Sequence, residues 1–135
     1  MPALMSDHDI QGQFEHLTRL MLADDWRGIW DELAFRFESF QTLGIPDNAS
    51  DEIVWITCQQ KDVVLVTGNR NADGQQSLEL VLRRLGTRNS LPVVTLADPD
   101  RILTDRPYAD RAVERLFDYL IDIDNVRGAG RLYIP

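Results

Sequence analysis

The chain has 135 residues, 44% of them hydrophobic and 27% charged, with a formal net charge of −8. That length fits one domain with a single core, and no stretch approaches the roughly 18 apolar residues of a membrane span. The acidic balance excludes a broad electrostatic footprint for duplex nucleic acid.

The first ten residues, MPALMSDHDI, lack a basic start and a long apolar core, so they do not read as a signal peptide. Pro2-Ala3-Leu4-Met5 reads as a first strand ending in the polar turn Ser6-Asp7-His8-Asp9. Ile10, Phe14, Leu17, Leu20 and Met21 fall at helical spacing. Asp24 and Asp25 begin a second helix with Trp26, Ile29, Trp30 and Leu33 on one face. The stretch Phe35 to Phe40 alternates in its first half, as a half-exposed strand does.

Ser50 is suited to cap a helix whose first turn holds Asp51 and Glu52, acids that favour the positive end of the helix dipole. Ile53, Val54, Ile56, Thr57 and Cys58 continue it. Cys58 is the one cysteine, so no internal disulfide forms; within an apolar helical stretch it reads as a buried structural thiol. A cytoplasmic location follows as an expectation. Val63 to Thr67 is a continuous, β-branched run, which predicts a central parallel strand covered on both faces, with Val64, Leu65 and Val66 inaccessible. Leu78, Val81, Leu82 and Leu85 mark the next helix, Leu91 to Leu96 the next strand. Pro107 sits in the first turn of a long last helix, and Arg131 to Ile134 reads as a short edge strand.

Strands alternating with helices predict an α/β fold: a doubly wound, mostly parallel sheet of four to five strands with helices on both faces, as one domain over 1–135. Ligands of such sheets bind outside the carboxyl ends of the strands. Asp7-His8-Asp9, Asp51-Glu52, the loop Asn69-Arg70-Asn71-Ala72-Asp73, and Asp98 with Asp100 are placed to reach that edge.

The segments "ALMSDHDI" and "TLGIPDNASDEIVWITCQQKDVVLVTGNRN" resemble the PIN-like domains, specifically the small stand-alone kind related to VapC-type toxin nucleases. The resemblance covers about Pro2 to Gly74, and the rest of the chain in outline. It implies a doubly wound fold whose active members gather carboxylates around Mg²⁺ or Mn²⁺ and cleave RNA phosphodiesters. It implies Asp7 and Asp51 as principal ligands and, with Asn69, as catalytic positions. Asp9, Asn71 and Asp73 join as further metal ligands. Asn69 and Asn71 follow Thr67 where active members usually carry aspartate, and an amide ligates without the charge that sets much of a cation's affinity. RNA, a protein partner such as an antitoxin, and a homodimer are implied as associates. The alternative is a PIN-like fold without catalysis, acting as a binding or regulatory module.

Each residue also has a plainer reading. Asp7 and Asp9 suit a hydrogen-bonded turn, and Asp51 suits a helix start. Asn69 and Asn71 accept left-handed backbone angles. Arg70 is placed either to meet a substrate phosphate or to neutralise a carboxylate. His8 and His16 have no zinc-site spacing. A receiver domain of similar winding needs a lysine after its fifth strand, whereas Lys61, the only lysine, precedes the Val63 strand.

Overall fold

A computed structural model describes residues 2–68 and 78–135. Among the described residues, five strands form one sheet: β1 (Ala3–Ser6), β2 (Arg36–Phe37), β3 (Val63–Thr67), β4 (Val93–Leu96) and β5 (Arg131–Ile134). Their order is β2-β1-β3-β4-β5 and every pairing is parallel. The expected doubly wound α/β sheet is therefore present, fully parallel.

Among the described residues, seven α-helices connect the strands. α1 (Gln11–Met21) and α2 (Asp24–Leu33) join β1 to β2, and α3 (Phe40–Leu43) and α4 (Asp51–Gln60) join β2 to β3. α5 (Leu78–Leu85) precedes β4, and α6 (Pro99–Thr104) and α7 (Arg106–Ile121) lie between β4 and β5. Helices α1, α2, α6 and α7 cover one face, where Leu4, Val64, Val66, Val94 and Leu96 join their inward residues in the largest core. Helices α3 and α4 cover Ala3, Met5, Val63 and Leu65 on the other face, and α4 and α5 cover Val93. Alternate residues of each strand thus feed opposite cores, as the pleat requires. Val64 and Val66 are 0% exposed and Leu65 is 3% exposed, so the β-branched run is the doubly covered strand that its composition predicts. No helix among the described residues is long and apolar enough to cross a membrane.

One local expectation differs from the structure. The half-exposed strand read over Phe35 to Phe40 shrinks to Arg36–Phe37. Ser39 ends it by capping α3: its hydroxyl accepts from the Thr42 N–H at 3.1 Å, and the Thr42 hydroxyl accepts from the Ser39 N–H at 2.8 Å. That reciprocal box fixes a helical turn, and it turns Phe40 into the core. Asp98 follows β4 as read, and it also caps the short helix α6, with Pro99 in its first turn.

Candidate functional site at the β1–β3 crossover

The chain leaves β1 for β2 on one side and returns to β3 on the other. That reversal opens a crevice at the carboxyl ends of β1 and β3, the usual ligand position in such sheets. β1 ends at Ser6, and the Asp7 N–H still donates to the Val66 carbonyl at 2.8 Å, holding the turn to β3. Asp7 is extended and caps a 3-10 turn, His8–Ile10, its Oδ1 accepting from the His8 N–H at 2.8 Å. Its Oδ2 accepts from the Thr67 hydroxyl at 3.2 Å. Thr67 is 0% exposed, so both carboxylate oxygens are oriented by the ends of the two crossover strands.

Asp9 lies on the same side. Its carboxyl is held above the ordinary carboxylate range, first by burial and then by the Asp7 charge, with Asp51 adding to the rise; N–H groups of Gly68 and of Asp9 itself pull the other way. The residue as a whole remains exposed, so solvent screens these charges. Gly68 is needed at this junction. A Cβ there would lie 2.8 Å from Ile10 Cγ2 and 3.1 Å from Asp9 Oδ2.

Asp51 begins α4, which runs back along the sheet to enter β3. Its start therefore lies at the carboxyl edge, with the Ser50 hydroxyl capping the Ile53 N–H at 3.3 Å. The structure brings Asp7, Asp9 and Asp51 to one edge, where the charges of Asp7 and Asp51 both bear on Asp9. The charge of Asp7 reaches further inward: burial first, and Asp7 second, push the Cys58 thiol up to about 12. Cys58 is thus the inert buried thiol that its helical setting predicts.

Among the described residues, no group of three or more His, Cys, Asp or Glu side chains is arranged to hold a metal ion. A closed protein cage of the kind Ca²⁺ or Zn²⁺ uses is therefore not formed by them. Mg²⁺ is held differently, by one or two carboxylates together with its own water and substrate phosphates. Asp7 and Asp9 are the carboxylates at this edge that could serve that open mode. Asn69, Arg70, Asn71 and Asp73 lie outside the described residues.

His8 points away from the two aspartates that flank it, toward β2. Its ring rests on Phe40 with centroids 3.9 Å apart. Its Nδ1 is 2.9 Å from the Gln11 amide nitrogen and its Nε2 is 3.5 Å from Asp47 Oδ1. These residues border a cleft of about 350 Å³ that is also lined by Phe14 and Glu38. A second hollow of about 470 Å³ shares Ser6, Gln11 and Phe14 and runs on between α1 and β2 to Phe37 and Leu22. The Glu38 carboxyl is held low, first by the Thr42 hydroxyl and then by Arg36. Sequence reasoning missed this cleft. Its only signals were a histidine at a strand end and a Ser-Phe pair at the start of α3, and neither has a recognisable spacing.

Arg84, in the last turn of α5, sits 3.7 Å from Glu52, the neighbour of Asp51, and a cation there suits the helix dipole. No protein-family model matches the sequence, and no curated protein or solved structure matches it either.

Proposed function

We propose that the chain is a PIN-like protein that binds a divalent cation, Mg²⁺ or Mn²⁺, at the carboxyl edge of β1 and β3 and acts through it on RNA phosphodiesters. One observation carries this reading: Asp7, Asp9 and Asp51 gather at the crossover edge, with Asp7 fixed by the His8 N–H and the Thr67 hydroxyl. The PIN-like resemblance rests on the segments quoted above and supplies the substrate class. Carboxylates that raise one another's proton affinity destabilise the fold unless a cation offsets their charge. A bound ion would polarise a phosphoryl oxygen and activate water. The protein's own part is to hold Asp7 in one orientation, with Asp9 beside it under the Gly68 N–H.

A second reading, a PIN-like module without catalysis, is favoured by Asn69 and Asn71, amides where active members carry acids. We place the protein in the cytoplasm, with RNA, an antitoxin-like protein or a second copy of the chain as its associates.

Calorimetric titration with MgCl₂ and MnCl₂, followed by incubation with single-stranded RNA in the same ions, tests both readings. Saturable binding with cleavage, each lost in Asp7→Asn, supports the hydrolase. Binding without cleavage selects the module. No binding of either ion removes the cation site.

A further inference from the structure

The cleft on the β2 side of His8 has no part in holding an ion, yet it begins one residue from Asp7 and Asp9. Its central feature is a braced imidazole. Phe40 backs the ring, Gln11 holds Nδ1, and Asp47 stands at Nε2. Phe40 is itself 6% exposed and locked at the start of a capped helix. The His8 side chain keeps 36% of its surface open. A flat ring therefore has a rigid aromatic face to lie on, with little ordering left to do on binding.

The rest of the lining selects against charge of one sign. Glu38 and Asp47 both border the cleft, so a phosphate group is repelled from it. Glu38 is occupied, accepting from Arg36 Nε at 3.1 Å and from the Thr42 hydroxyl at 2.8 Å. Asp47 is 94% exposed at its side chain and remains able to accept from a ligand. The ligand that fits is planar, aromatic and uncharged, with N–H groups on one edge. We infer that this cleft is a nucleobase subsite, which takes an unpaired base stacked on His8 and prefers guanine, whose adjacent N1–H and N2–H groups can both donate to the Asp47 carboxylate. Unpaired bases are commonly bound in this way, stacked on an aromatic ring and read along the Watson–Crick edge. The inference rests on the RNA reading above and deepens it: the base enters the His8 cleft while its phosphate stays at the Asp7–Asp9 edge.

The test is calorimetric titration of the full chain with guanosine, uridine and ribose 5-phosphate, each in EDTA and in MgCl₂. Guanosine carries no phosphate, so its binding does not depend on the ion. The expected result is saturable guanosine binding in EDTA, tighter than uridine, with none for ribose 5-phosphate. His8→Ala should weaken guanosine by about tenfold or more, the size of one lost base–aromatic stack. His8→Phe, which keeps a ring, should stay within about threefold of wild type. Asp47→Asn should erase the preference over uridine. Equal binding of guanosine and ribose 5-phosphate, or a folded His8→Ala with unchanged affinity, overturns the subsite. Guanosine binding without any Mg²⁺ binding leaves the subsite standing and removes the cation reading; Mg²⁺ binding without guanosine binding does the reverse.

Discussion

Two strands of this sheet run into the same short pattern. β1 is followed by Asp7-His8-Asp9, and β4, after Ala97, by Asp98-Pro99-Asp100. In each, the first aspartate caps a helical turn: Asp7 accepts from the His8 N–H, and Asp98 from the Arg101 N–H at 3.4 Å. In each, an isoleucine anchors the turn in the same core, Ile10 and Ile102, both 1% exposed. What differs is the countercharge. At the β4 end, Arg101 reaches Asp105 at 2.9 Å and lies 4.2 Å over the Tyr108 ring. At the β1 end, Asp9 meets the charges of Asp7 and Asp51. The buried threonines repeat the contrast. Thr67 and Thr95 are paired across β3 and β4. Thr67 donates to a carboxylate, whereas Thr95 accepts from the Arg131 guanidinium at 2.7 Å. The same spacing of acids is structural where cations answer it, and it becomes a candidate site where carboxylates meet carboxylates.

The largest expected effect tests the shared part of this comparison. Ile10→Ala and Ile102→Ala should each destabilise by about 2–5 kcal/mol, because each leaves a cavity in one core. Denaturant melts that show only one of them to be costly would mean that the two turns are not anchored alike.

Gly68→Ala separates the ends. Its Cβ would press on Ile10 and on the Asp9 carboxylate, so a loss of about 1–3 kcal/mol is expected from overpacking. A neutral Gly68→Ala in the same melts would show that the crossover is looser than this packing implies.

A smaller loss concerns the cap. Asp98→Ala should cost about 1 kcal/mol, while Asp98→Asn, which caps equally well, should be close to wild type. An equal loss for both would mean that the charge of Asp98, rather than its cap, stabilises α6.

The smallest effect is in pH. Asp9 binds its proton more tightly in the fold than its ordinary 3.8. The folded state therefore holds more protons over that interval, and this group's contribution falls as pH rises from 3.8 through the raised value. Asp105 acts oppositely. Arg101 first, and then the Tyr108 N–H, hold its carboxyl low, so its contribution is present above 3.8 and is lost as pH falls through the lowered value. The melting-temperature difference between wild type and Asp9→Asn should shift against wild type as pH rises above 3.8. Parallel curves for the two proteins would remove Asp9 from the account.

Much of the scaffold was legible in the sequence because its signals are long or periodic. The run Val63 to Thr67, the Ser50-Asp51-Glu52 start and the apolar stripe Ala109, Ala112, Val113, Leu116 and Leu120 each name their element. The short pieces were not legible. α3 and α6 span only four and six residues, too few for a period to show, and each depends on a cap that sits where a strand or loop was expected. At the site, topology placed Asp7, Asp9 and Asp51 on one edge from the order of elements alone. The sequence did not show that His8 turns away from its neighbours. That depends on Phe40, thirty-two residues on, being folded beneath it by the Ser39 cap. Nor did it show that Ile10 and Asp9 leave little room for a side chain at position 68.

The most direct measurement compares the two turns in one experiment: the melting temperature of wild type, Asp9→Asn and Asp98→Asn, each in EDTA and in millimolar MnCl₂. An ion at a hundredfold excess over its Kd stabilises the fold by roughly 2.7 kcal/mol. The account predicts a clear rise for wild type and for Asp98→Asn. Asp9→Asn should melt at or above wild type in EDTA, where repulsion has been relieved, and should gain little from the metal. A rise in Asp9→Asn equal to that of wild type, or no rise in any of the three, would contradict a cation site at the β1–β3 crossover.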